Sequence, residues 1–309
     1  MTHVLWTDVA PRDGLQNIAT VVPTEAKVDL IRGLLAAGTP RVEATAFVSP
    51  RWVPQLADAA AVLDALGSDH VNRLRVLIPN LRGLELALHH GVRNVLVTIG
   101  ATDTFNRRNV NRSVDESLAE LRSIVELAQR NDCSVDVALS VSFGCPFEGA
   151  VAVERVVELC TRIDESGASE IGVADTIGVA TPHAITEMFA AVSGVVPRER
   201  ISLHVHDTRG LGVANVIAAY ESGVSRFDGS AGGVGGCPFA PRSTGNVCSE
   251  DALQALVSLG ATVDADLAAL CRISETLEGV LGQPLPGKLY RAGVWDGQAI
   301  AQSQEANVG

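Results

Sequence analysis

Ile201-Ser202-Leu203-His204-Val205-His206-Asp207 starts as an apolar run, ends in a polar turn carrying Gly210, and feeds the amphipathic stretch Gly212 to Glu221. A strand handed to a helix through a short turn is half of a β/α/β unit, the connection that parallel strands require. The same alternation recurs outward from this segment in both directions. Strands are expected at Val4 to Val9, Arg41 to Ala46, Leu74 to Ile78, Asn94 to Ile99, Ser134 to Ser140, Glu170 to Ala174, Ile201 to His206 and Arg226 to Ser230. Helices are expected at Thr24 to Ala37, Ala57 to Leu66, Leu81 to His89, Val114 to Gln129, Ala152 to Glu165, Pro182 to Ala191, Gly212 to Glu221 and Ser249 to Leu259. Ser113 with Glu116 spells a capping box, Thr181-Pro182 a helix start, and Gly38, Gly91, Gly167 and Gly223 sit where left-handed caps end helices.

Eight such units close a barrel, so the expected fold is α/β, a TIM (β/α)8 barrel. The alternative, a doubly wound open sheet, lacks support because no Gly-x-Gly-x-x-Gly follows the first strand. The barrel is expected to take residues 1–260. Residues 261–309 form a C-terminal helical extension, with a helical pattern at Val263 to Leu281 and a polar tail, packed on the same domain.

Composition narrows the function. The 309 residues are 47% hydrophobic, and no apolar run reaches the roughly 18 residues that span a bilayer. A net charge of −12 disfavours nucleic acid or an anionic membrane as partner. The start Met1-Thr2-His3-Val4 carries no basic leader, so a cytoplasmic protein is expected. The six cysteines show no Cys-x-x-Cys spacing, which argues against a zinc ribbon or dithiol site. Of 24 basic residues only Lys27 and Lys288 are lysines, and neither lies on a strand, so Schiff-base chemistry is not indicated.

In a barrel of this type chemistry sits at the C-terminal ends of the strands. Read together, those ends carry Pro11-Arg12-Asp13-Gly14-Leu15-Gln16, Glu43, Asp175, His204, His206, and Gly232-Gly233-Val234-Gly235-Gly236-Cys237-Pro238 leading to Asn246. His204 and His206, two apart on one strand, project to the same face. With Asp13 and Asn246 they make a mixed N/O donor set suited to Mg²⁺ or Mn²⁺, with iron possible and zinc less suited. Singly, Arg12-Asp13 reads equally as a turn ion pair, and Asn246 as a cap for the helix near Ser249. Cys237 follows four glycines in five residues, the composition of a mobile flap that could bring a thiol to a substrate for proton transfer. Cys145, in Gly144-Cys145-Pro146-Phe147, reads as structural.

These motifs, together with Phe47-Val48-Ser49-Pro50-Arg51-Trp52-Val53-Pro54-Gln55, Asp175-Thr176-Ile177-Gly178 and Gly235-Gly236-Cys237-Pro238-Phe239-Ala240, resemble the 3-hydroxy-3-methylglutaryl-CoA lyase family. The resemblance runs in order from about Val4 to Leu259. It implies a divalent cation, a CoA thioester substrate, and retro-Claisen cleavage to acetyl-CoA and acetoacetate, a step of leucine degradation and ketone-body formation. It implies that Arg12 stabilises the thioester enolate, that His204 is a metal ligand or proton shuttle, and that Cys237 carries the product-side proton. Glu43, Asp175 and Gln16 would orient Arg12, the metal shell or the substrate. Arg51, Arg107 and Arg108, with Arg112, fall in rim loops and could meet the CoA phosphates, although Arg107-Arg108 also reads as a solvated turn. The expected partner is a small acyl-CoA, and the expected assembly a homo-oligomer, a dimer.

Two departures, Ile18-Ala19 after Gln16-Asn17 and Arg209 after His206-Asp207-Thr208, bear on the acyl group and the grip on CoA. Related readings are a lyase for citramalyl-CoA or a longer 3-hydroxyglutaryl-CoA, and a Claisen synthase, for which too little chain follows the eighth helix. A non-catalytic acyl-CoA-binding paralogue would be expected to lack Arg12, Cys237 or a ligand, and all are present.

Overall fold

The structure is a computed structural model that describes residues 2–236 and 245–295. Eight parallel strands, β1 (Leu5–Asp8), β2 (Arg41–Ala46), β3 (Leu74–Leu77), β4 (Asn94–Gly100), β5 (Ser134–Ser140), β6 (Glu170–Asp175), β7 (Ile201–Val205) and β8 (Arg226–Gly229), close on themselves in sequence order. Closure is made by β1 against β8, from Leu5 opposite Arg226 to Asp8 opposite Gly229. Surrounding them are α1 (Thr24–Ala36), α2 (Ala59–Leu66), α3 (Leu81–His89), α4 (Asp103–Val110), α5 (Val114–Gln129), α6 (Val153–Glu165), α7 (Pro182–Val192), α8 (Gly212–Glu221) and α9 (Ser249–Ser258). The expected (β/α)8 barrel is the fold.

Past α9, α10 (Leu267–Leu281) packs on α1, α9 and the Ala231–Gly233 turn, and α11 (Leu289–Ala292) packs on α9 and α10. Asp266 starts α10 by accepting the Ala269 amide at 3.0 Å, four residues later than the apolar pattern suggests. The Ser113–Glu116 capping box forms in full, and Thr181 caps α7.

Two helices were not expected, the short α11 and α4. Arg107 and Arg108, read as loop residues, lie on α4, and that reading is corrected. Its sequence, Asp103-Thr104-Phe105-Asn106-Arg107-Arg108-Asn109-Val110, has too little apolar content for a helical period to be visible. Tertiary anchors hold it instead: Asn106 accepts the Gly100 amide at 2.8 Å, donates to Ser117 Oγ at 2.7 Å, and is wholly buried beside Phe105.

Each strand turns alternate residues toward the helices and toward the barrel axis. On β4 the buried set Val95, Val97, Ile99 alternates with Asn94, whose amide reaches Asp136 Oδ2 at 3.1 Å. Barrels of this kind commonly fill the axis with branched apolar side chains. Here the axis carries charges. Arg41 donates to Thr7 Oγ1 and Asp136 Oδ2, both at 2.9 Å, and to Glu170 at 2.8 Å, while Arg226 joins Glu170 at 3.0 Å. Next to this group, Arg75 donates to Glu43 Oε2 at 2.9 Å and Asp228 Oδ2 at 2.7 Å. Taking charges out of water is costly, and the cost is offset only where every charge finds partners. Burial pushes the Asp136 carboxyl up to about 6 even with Arg41 against it.

Removing one member of such a group leaves the others uncompensated. Arg41→Met is expected to destabilise the protein by about 3–5 kcal/mol in urea unfolding. A loss within ~1 kcal/mol, the range of an exposed pair, would show that the axis charges are solvated rather than buried.

Candidate functional site

At the C-terminal end of β1 the chain does not enter an open loop. Ala10–Gly14 forms one π-helical turn in which Arg12 N and Gly14 N both donate to Val9 O, at 3.2 and 3.0 Å. Pro11 presets the entry φ of that turn, and such wide turns are frequent at functional positions. Arg12 Nε donates to Glu43 Oε1, and Arg12 Nη1 meets Asp13 Oδ1 at 2.7 Å. Glu43, fully buried on β2, therefore holds Arg12 from one side and Arg75 from the other. Arg12 Nη2 makes no hydrogen bond among the described residues.

The carboxylate of Asp13 is held at both oxygens. Oδ1 also accepts from Gln16 Nε2 at 2.8 Å, and Oδ2 accepts from Asn246 Nδ2 at 2.9 Å. Burial would raise its pKa, but Arg12, then His204, His206 and Asn246, hold it down at about 2. Opposite lie His204 and His206, their Nε2 atoms 3.1 Å apart. Burial and the neighbouring His204 lower His206 to about 4, so its ring is neutral near pH 7. For His204 burial acts downward too, yet the facing Asp228 and the charge of Asp13 outweigh it and raise the pKa.

Asn246 is brought in by a backbone contact. It pairs with His206 as an antiparallel bridge, with Asp207 N donating to Gly245 O at 2.7 Å. The approach depends on two glycines. At Gly245, with φ +78°, a Cβ would lie 2.5 Å from the Gly235 carbonyl carbon, and at Gly235, with φ +148°, one would lie 2.6 Å from Asn246 Nδ2. Asn246 does not cap α9, whose N-cap residue is Cys248 with no side-chain cap.

A ligand oxygen of Asp13 and a ring nitrogen from each histidine all lie within 4.8 Å of one another. A hard divalent cation fits these residues on two observations: Asn246 Oδ1 is buried with no hydrogen-bond partner among the described residues, and the two imidazole nitrogens face each other beside an ionised carboxylate. Binding such an ion takes both imidazoles in the neutral form, beside the carboxylate and the amide oxygen.

Other expected residues take their hydrogen bonds outside this cluster, although Asp175 still feels the charge of His204. Asp175 spends its carboxylate on its own loop, accepting Val179 N at 2.9 Å and Ala180 N at 2.8 Å. Arg209 fastens the same loop, donating to Ile177 O at 2.7 Å and Gly178 O at 2.9 Å. Arg51 lies 5.6 Å above the Trp52 ring and Arg108 4.1 Å above Phe147; both arginines, like Arg107, are exposed. Arg112 is committed to Glu120 and Pro79 O. Cys145 is buried and takes a hydrogen bond from Thr102 Oγ1 at 3.1 Å, in line with a structural role. Cys237 lies outside the described residues.

Three residues escaped the sequence reading. Arg75 and Asp228 stand in the middle of strands, between Leu74 and Val76 and between Phe227 and Gly229; a charge on a barrel strand is the signal that marks them. Glu250 has a different place: fully buried, it accepts the Gly232 amide at 3.1 Å with each oxygen and so anchors the first glycine of the run.

A family model described as HMGL-like matches residues 3–277. An (R)-citramalyl-CoA lyase of Chloroflexus aurantiacus is 41% identical over 303 residues, covering 95% of this chain and 96% of that protein. A hydroxymethylglutaryl-CoA lyase of Bacillus subtilis is 39% identical, over 91% of this chain and 94% of its own. Among solved structures, an HMG-CoA lyase from Acinetobacter baumannii in complex with coenzyme A and 3-methylmalate superposes with a TM-score of 0.90 at 37% identity, covering 96% of this chain and 97% of that one.

Proposed function

We propose that this chain, which belongs to the HMGL-like family, is a divalent-cation-dependent carbon–carbon lyase that cleaves 3-hydroxy-3-methylglutaryl-CoA to acetyl-CoA and acetoacetate. The observation that carries the reading is the π-turn that sets the Arg12 guanidinium directly beside the Asp13, His204, His206 cluster. The family relatives named above support it.

A bound Mg²⁺ or Mn²⁺, held by Asp13, His204, His206 and Asn246, would polarise substrate oxygens as a Lewis acid. The rest falls to side chains. In the cleavage the substrate hydroxyl loses its proton, the carbinol C–O becomes a carbonyl, and the electron pair of the C–C bond passes to the carbon beside the thioester. Negative charge then develops on the thioester oxygen. Arg12, ionised at any working pH and with Nη2 uncommitted among the described residues, is the donor suited to that oxygen, held in place by Glu43 and Asp13. Gln16 and Asn246 orient Asp13. Cys237 is assigned from sequence as the proton carrier: its thiol protonates the enolate carbon, and the hydroxyl proton restores the thiol, so the cycle is proton-neutral. Asp175 is assigned a supporting role, closing the β6 loop that borders the substrate. The exposed arginines Arg51, Arg107 and Arg108 are candidates for the CoA phosphates.

The identity to the Chloroflexus enzyme favours a second substrate, (R)-citramalyl-CoA, which the same chemistry would split into acetyl-CoA and pyruvate. Assaying the purified protein with both thioesters and Mg²⁺ or Mn²⁺ separates the readings, with acetoacetate expected from the first. Release of pyruvate alone would transfer the assignment to the second substrate. No acetyl-CoA from either, or activity undiminished by complete chelation, would sink the proposal.

Arg12→Lys keeps the charge but loses the planar fork, and kcat is expected to fall by about 10² or more. A variant within about threefold of the parent, well short of that loss, would assign enolate stabilisation elsewhere.

Cys237→Ser is expected to lower kcat by about 10²–10⁴, since a hydroxyl cannot replace the thiol's proton, with folding and metal content unchanged. A packing role would instead appear as roughly 1 kcal/mol of lost stability in Cys237→Ala with turnover intact.

A further inference from the structure

Asp228 stands directly opposite His204 in the β7–β8 register. Its Oδ2 takes the Arg75 Nη2 hydrogen bond at 2.7 Å and faces His204 Nδ1 at 3.7 Å, ion-pair distance, a few tenths of an ångström beyond a hydrogen bond. Its Oδ1 is buried and has no hydrogen-bond partner among the described residues, so the carboxylate retains acceptor capacity. Nε2 of the same ring is turned the other way, toward His206. The two nitrogens of an imidazole are linked: a carboxylate that draws the proton onto Nδ1 leaves the lone pair on Nε2, the form in which that atom can bind a cation.

Asp228 is itself held firmly. Arg75, almost wholly buried, joins it to Glu43 on the far side, and Glu43 takes Arg12. One guanidinium therefore ties the carboxylate behind His204 to the carboxylate behind Arg12.

We infer that Asp228 is a positioning residue of the metal centre: it fixes the tautomer and orientation of His204, with Arg75 holding it in register with Glu43 and Arg12. The inference rests on the reading that Asp13, His204, His206 and Asn246 take a divalent cation. The competing role is that of a counter-ion to Arg75 alone. Arg75 already donates two hydrogen bonds to Glu43, which leaves Asp228 with less to do in that role.

Mn²⁺ binding to the metal-stripped full chain, by calorimetry or electron paramagnetic resonance, separates these. The parent is expected to bind one Mn²⁺, and Asp228→Asn to bind it about 10–100-fold more weakly. In ¹⁵N-histidine spectra of the metal-free protein, taken at a pH where the His204 ring is neutral, His204 is expected as the Nδ1–H tautomer in the parent and to lose that preference in the variant, a change that a counter-ion role would not produce. If the single substitution does not fold, the charge-balanced pair Arg75→Gln with Asp228→Asn serves for both measurements. A parent that binds no Mn²⁺ would remove the metal reading and this inference with it. A parent that binds Mn²⁺, beside a variant of equal affinity and unchanged His204 tautomer, would overturn the inference while leaving the metal centre standing.

Discussion

The guanidinium of Arg75, shared between Glu43 and Asp228 inside a closed ring of strands, is the constraint around which the site is arranged. A charge in that position has no water to fall back on, so the partners it finds must be held by the backbone. Parallel closure does this, because Glu43 and Arg75 lie in register on neighbouring strands and Asp228 is two strands away through β1. The two acceptors then pass the order upward. Glu43 turns Arg12, and Asp228 stands behind His204. The reactive groups are thus continuous with the barrel's interior rather than mounted on it.

Most of the architecture was legible because the physics that makes a β/α unit is local. Apolar runs such as Ser134–Ser140 and amphipathic stretches such as Val114–Gln129 coincide with the elements to the residue. What failed was not local. The helix Asp103–Val110 owes its form to Asn106 reaching Gly100 and Ser117, contacts that no window of its own sequence can contain. The π-turn at Ala10–Gly14 looked like a loop, since Pro and Gly mark punctuation without stating how wide the turn between them is.

Site residues divide in the same way. Asp13, His204, His206 and Asn246 could be grouped by donor type and by their position after strands, and the structure brings them together. Asp175 was expected on the same rim in a supporting role, and its oxygens accept from Val179 and Ala180 of its own loop. Asp228 and Arg75 were passed over because a charge in a strand reads as a surface residue until the closed barrel shows both side chains buried. Residue type suggests chemistry; only register tells which charges share a space.

The charged axis has a thermodynamic side as well. Unfolding a protein exposes apolar surface, which raises the heat capacity, and polar surface, which lowers it. A barrel whose interior releases Arg41, Arg75, Asp136, Glu170 and Asp228 to water in place of leucines and valines gains less heat capacity on melting than an apolar axis would give. Its free energy of unfolding therefore bends less with temperature. A flatter curve of the same height stays above zero over a wider span of temperature.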